Sequence, residues 1–83
     1  MNVLYFAWLR TKVGTGEESV APPADIATVG QLVDWLKARS AGHAQAFADL
    51  KVVRAAVNQE YAGWDHPVAA GDEVAFFPPV TGG

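Results

Sequence analysis

One stretch of the 83-residue chain carries a sustained helical pattern, and the rest must build something for it to lie on. Thr28 is a favourable N-cap, and Gln31 stands three residues later. Together they form a capping box, in which each side chain satisfies a free backbone donor at the helix start. Val29, Leu32, Val33 and Leu36 then recur on one face. Lys37 and Arg39 lie near the C-terminal end, where the helix dipole favours cations. Gly42 is a plausible stop. The pattern predicts the main helix over Val29–Ser40, and His43–Leu50 adds a short second helical turn.

The sequence on either side reads as strands. Asn2–Arg10 is rich in β-branched and aromatic residues and predicts a first strand. The glycines of VGTGEE mark a turn, and Glu18–Pro23 forms a second short strand stopped by its proline pair. Val52–Gly63 predicts a strand through Asn58, a turn and a short return strand. Gly71 and Asp72 turn the chain into a last strand, Glu73–Phe77, which Pro78 and Pro79 end because proline cannot donate to a sheet ladder. The order β-β-α-β-(β)-β predicts an α+β domain, a small mixed sheet on one main helix in the β-grasp or ubiquitin-like arrangement. Residues 1–79 make that domain, and 80–83 are expected to be a flexible tail.

Composition narrows the function classes. Without cysteine there is no disulfide, no thiolate nucleophile and no soft metal ligand. His43 and His66 with scattered carboxylates do not make a structural zinc site. The net charge of −3 and the lack of a basic cluster argue against nucleic acid and favour a partner with a basic surface. No apolar run approaches the ~20 residues that span a bilayer. The start lacks a signal-peptide pattern, so the expected location is the cytoplasm.

Strand periodicity exposes an anomaly. In the first strand Val3, Tyr5, Ala7 and Leu9 share one face, and Leu4, Phe6 and Trp8 the other. In the last strand Val74 and Phe76 oppose Ala75 and Phe77. A sheet with one helix buries one face, so the other should be polar. Here both are apolar. Large side chains worth ~1.5–3 kcal/mol each on full burial are costly to leave wet. Leu4, Phe6, Trp8 and Phe77 are therefore expected to form a partner surface, with part of it covered from within the chain.

Conventional catalytic sets are missing. There is no Ser-His-Asp spacing, no P-loop and no HExxH. His43 and His66 read as surface histidines, and Asp72 and Glu73 as turn residues. What remains is the Gly83 carboxylate. Once joined to AMP it becomes an acyl-adenylate, which sulfur can convert to a thiocarboxylate or an amine to an isopeptide bond. Gly82 and Gly83 suit a narrow active-site channel because glycine has no Cβ and accepts φ of either sign. Val80–Gly83, fully extended, reach roughly 13 Å beyond the domain. Pro78 and Pro79 stiffen the base of that arm.

The segments YFAWLRTKVG, AVNQEY and GDEVAFFPPVTGG resemble the small subunits of molybdopterin synthase, the MoaD family of sulfur carriers, over nearly the whole chain. The resemblance implies a β-grasp fold and a cytoplasmic role in molybdenum cofactor synthesis. It implies that Gly83 is adenylated by a ubiquitin-activating-type (MoeB-type) enzyme, with ATP and magnesium belonging to that partner. It further implies a thiocarboxylate that enters a large (MoaE-type) subunit of a heterotetramer and donates sulfur to cyclic pyranopterin monophosphate. Gly82 and Gly83 match the reactive tail, and Phe77, with Phe6, matches the hydrophobic interface. The partner-facing set is then Leu4, Phe6, Trp8 and Phe77, continued by Pro78, Pro79, Val80 and Thr81. The alternatives are a carrier for a thiamine- or cysteine-type pathway, a ubiquitin-like modifier of lysines, and a binding module with an inert tail.

Overall fold

The computed structural model describes residues 1–79. Val80, Thr81, Gly82 and Gly83, for which a flexible reactive tail is expected, lie outside the described residues. In chain order the elements are β1 (Asn2–Tyr5), α1 (Trp8–Val13), β2 (Glu17–Ser19), α2 (Val29–Lys37), α3 (Ala41–Ala46), a 3-10 turn (Leu50–Val52), β3 (Arg54–Val57), β4 (Glu60–Ala62) and β5 (Glu73–Phe77). The strands form one sheet in the order β2-β1-β5-β3-β4. The central pair β1–β5 is parallel and every other pair is antiparallel. This is the expected α+β β-grasp architecture, with α2 as the main helix.

The inner face of the sheet meets the apolar stripe of α2. Val3, Tyr5, Val74 and Phe76 are sealed against Val29, Leu32, Val33 and Leu36 in one cluster. Phe47, just past α3, closes the core, with its ring centroid 4.9 Å from that of Phe76 in an edge-to-face contact.

The first strand is shorter than its composition predicts. It ends at Tyr5, and residues 8–13, read as its continuation and a turn, form α1 instead. Phe6 to Leu9 make a tight turn closed by the Leu9 N–H on the Phe6 carbonyl, with Ala7 at φ 55°, ψ −133°. That conformation belongs to glycine at the first corner of a type II′ turn. Strand and helix both bury Leu9, so alternation alone could not separate them. The missed signal is Leu9 and Val13, four residues apart on one helical face, with Gly14 as a left-handed cap. α1 packs on α3, where Gly42 lies so close to the Lys12 carbonyl that a Cβ could not fit. Gly42 thus sits inside α3 rather than ending α2.

Other boundaries shift for local reasons. α2 stops at Lys37, and Ser40 becomes the N-cap of α3, its hydroxyl accepting the His43 N–H at 3.1 Å. The capping box is displaced by one residue: Thr28 accepts the Gln31 N–H at 3.2 Å, whereas the Gln31 side chain reaches the Ala27 N–H at 2.7 Å. β2 is Glu17–Ser19 rather than Glu18–Pro23. The return strand β4 and the last strand β5 are found as expected.

Candidate docking face

Backbone register assembles the outer face of the sheet. Leu4 stands beside Ala75, Ala75 beside Ala56, and Ala56 beside Tyr61, so one row crosses four strands. The next row pairs Phe77 with Arg54. Past the end of β1, the Phe6 N–H donates to the Phe76 carbonyl at 3.1 Å. This extends the parallel register by one residue and places Phe6 level with Phe77. The Tyr61 and Phe77 rings lie 5.7 Å apart and tilted. A shallow cleft of about 270 Å³ opens between Ala56, Gln59, Tyr61 and Phe77.

Exposure separates the predicted members. Phe6 is 49 % exposed, Phe77 is half-buried and Leu4 is partly covered by its neighbours. Trp8 is exposed as well but opens α1, so the strand parity that grouped it with Leu4 and Phe6 does not hold. Pro78 and Pro79 follow β5 outside any ladder, both half-buried. The residue missed was Tyr61, at 77 % the most exposed large hydrophobic side chain among the described residues. The signal for it was present, because Tyr61 is the middle residue of a three-residue return strand and must point away from its two neighbours.

The edge between β2 and α3 corrects another expectation. His43 is buried rather than on the surface. Its Nε2 lies 2.7 Å from Glu18 Oε2, and its Nδ1 lies 2.7 Å from the Ser40 hydroxyl. The Tyr5 hydroxyl donates to the same Glu18 oxygen at 2.6 Å, and Arg39 approaches the other at 3.7 Å. Burial pushes the Tyr5 hydroxyl well above the ordinary phenol range, and the Glu18 carboxylate that it bonds adds to the shift. Burial alone would raise Glu18. The hydrogen bonds from His43 and Tyr5, with the charges of His43 and Arg39, outweigh it and hold the carboxyl below its usual value. No buried side-chain polar atom among the described residues lacks a partner.

Ser40, His43 and Glu18 have the residue types of a hydrolytic triad but not its use. The Ser40 hydroxyl caps a helix, and its contact is with Nδ1, while the acid takes Nε2. In a working triad those roles are exchanged. The cluster ties α3 to the β1–β2 edge. His66 is only partly covered and touches the neighbouring Pro67 carbonyl at 2.8 Å. Among the described residues no group of His, Asp and Glu could hold a metal ion, and no helix is long and apolar enough to cross a membrane.

The model of the ThiS family matches residues 3–83. The chain belongs to the ThiS family. Its resemblance to molybdopterin synthase small subunits extends over the whole length. The molybdopterin synthase sulfur carrier subunit of Escherichia coli is 51 % identical over 83 residues, covering 100 % of this chain and 99 % of the relative. The subunit of the same name from Haemophilus influenzae is 36 % identical over 83 residues, again covering 100 % and 99 %. Among solved structures, a Pyrococcus furiosus protein assigned as molybdopterin converting factor subunit 1 superposes with a TM-score of 0.78 at 34 % identity, covering 95 % of each chain. Small archaeal modifier protein 1 of Haloferax volcanii superposes at 0.69 with 28 % identity, over 96 % of this chain and 97 % of its own.

Proposed function

We propose that this chain is the sulfur carrier subunit of a molybdopterin synthase and that it works through the Gly83 carboxylate. The observation that carries the reading is the full-length kinship at 51 % identity with a protein of that name. The outer face supports it. β5 ends with Phe77 turned outward, and the chain leaves the sheet through Pro78 and Pro79 beside the aromatic patch. A partner that covers Phe6, Tyr61 and Phe77 therefore receives whatever follows residue 79.

A carboxylate does not exchange oxygen for sulfur unaided. An activating partner that holds ATP and magnesium joins Gly83 to AMP, with pyrophosphate leaving. A sulfur nucleophile then displaces AMP and leaves a thiocarboxylate. In the large subunit of the synthase that sulfur passes to cyclic pyranopterin monophosphate, and the Gly83 carboxylate is regenerated. The chain's own residues supply the acyl group, a slim di-glycine end and a docking face. The activating and transferring side chains belong to the partners, and all of this takes place in the cytoplasm.

The test is to co-express the chain with its activating enzyme and measure intact mass. Exchange of one oxygen for sulfur at Gly83 is expected, and an unchanged mass beside a competent enzyme would contradict the mechanism. A chain with one residue appended after Gly83 should keep its fold and lose sulfur transfer. A second reading, conjugation to lysines, draws on the likeness to small archaeal modifier protein 1. Higher-mass adducts on other proteins in the same experiment would favour it.

A further inference from the structure

An apolar patch holds a partner but does not orient it, because hydrophobic attraction has no direction. A carrier whose terminus must enter one opening needs a fixed rotation on its partner. The charges on the outer face supply a direction. Side-chain parity along the strands places Glu17, Glu73 and Arg54 outward. Glu73 stands at the end where β5 begins, and Arg54 at the end where it finishes. Glu17 is level with Ala75, but its carboxylate accepts from the Asn2 amide at 2.8 Å, and Asn2 is level with Glu73. Four residues of strand, about 13 Å at ~3.3 Å each, separate the two ends. That exceeds a Debye length of about 8 Å at physiological salt, so each end acts as its own charge.

Arg54 is also held in place. Its Nη1 donates to the Lys51 carbonyl at 3.1 Å and to the Val53 carbonyl at 2.9 Å. Both are neutral acceptors. Among the described residues no carboxylate pairs with it. Arg54 therefore stands level with Phe77 in the sheet, its guanidinium restrained by two backbone carbonyls and, among the described residues, with no carboxylate against it and part of its donor fork unspent.

We infer that Arg54 is the orienting contact of the docking face: it donates to a carboxylate of the partner at the Phe77 end, and the carboxylates of Glu17 and Glu73 repel that group from the opposite end. This rests on the outer face being the one that meets the large synthase subunit. It adds to that reading the chemistry of the facing residue, an Asp or Glu, and a reason why the partner binds in one rotation. Because the guanidinium is already restrained, less freedom is lost when the pair forms.

The experiment is titration of the full chain with the large subunit at low and at physiological salt, for the wild type, Arg54→Glu, Arg54→Gln and Phe77→Ala, with thermal unfolding of each. Arg54→Glu is expected to weaken binding at least tenfold at low salt. Arg54→Gln should weaken it several-fold and flatten the salt dependence. If Phe77→Ala weakens binding while both Arg54 variants bind with wild-type affinity and salt dependence, the orienting role is overturned and the docking face stands. If all three bind like the wild type, the docking face itself falls. Should Arg54→Glu fail to fold, the salt dependence of Arg54→Gln against the wild type decides alone.

Discussion

The two faces of the same sheet are built from the same kinds of residue and end up in opposite states. On β5, Val74 and Phe76 are fully buried, whereas Phe77, one residue on, is only half covered and its neighbour Tyr61 is 77 % exposed. On β1, Tyr5 is sealed and Phe6 is 49 % open. The inner face is accounted for by folding, since each of its large side chains has α2, α3 or Phe47 against it. Nothing among the described residues covers Phe6 or Tyr61 in the same way. Exposed apolar side chains gathered on one face are the pattern of a docking surface, the role proposed for them above.

Neighbouring phenylalanines on β5 give the sharpest test of this contrast. Phe76→Ala should cost about 3–5 kcal/mol of stability, read by denaturant unfolding, because it opens a cavity among Tyr5, Phe47 and α2. A small loss would break the assignment of the inner face. Phe77→Ala should leave the unfolding midpoint nearly unchanged and weaken large-subunit binding by about 1–3 kcal/mol. A large drop in thermal stability would instead place Phe77 in the core. At the sheet edge, Glu18→Ala should cost a similar or smaller amount, about 1–3 kcal/mol, by leaving the buried Tyr5 hydroxyl and His43 without their acceptor. The wild type should reflect this cluster in its pH dependence. Glu18 titrates below its ordinary 4.5 in the folded chain, so its contribution is whole above that pH and is lost as pH falls through the lowered value. Tyr5 is shifted upward, so its contribution is whole below its ordinary 10.0 and erodes as pH rises beyond it. A melting temperature flat from pH 3 to 11 would rule out the cluster as a stabilising tie. The smallest effect is expected from Ala7→Gly. Relief of the strained corner, about 1–3 kcal/mol, is partly offset by ~0.5–1 kcal/mol of glycine entropy, leaving a net gain of about 0–2 kcal/mol, read as a raised melting temperature.

Much of this contrast is legible in the sequence. The alternation of β5 and of the first residues of β1 predicts both faces, because side chains alternate at every residue of a strand. The stripe Val29, Leu32, Val33 and Leu36 predicts the helix that covers one of them. Where the reading failed, two periods competed. Residues 8–13 carry strand-forming side chains, and the helix wins there through the turn at Ala7 and the close contact at Gly42, which are tertiary facts. That is why Trp8 left the predicted patch. His43 was misplaced because its partners, Glu18 and Tyr5, are 25 and 38 positions away in sequence, and only the sheet brings them together. Tyr61 differs: its strand is legible in the sequence, and in a three-residue strand the middle side chain points away from its two neighbours.

The parallel pairing of β1 with β5 also governs when this molecule can come into being. β5 sits between β1 and β3, so the ribbon β2–β1 and the hairpin β3–β4 have no bond to each other except through it. During synthesis both halves leave the ribosome before the strand that joins them. Residues 2–5 must then wait for residues 73–77, a contact that spans almost the whole described chain and belongs to slow, late-closing topologies. Premature termination before β5 would yield two unjoined pieces of sheet, prone to aggregate or be degraded rather than to dock.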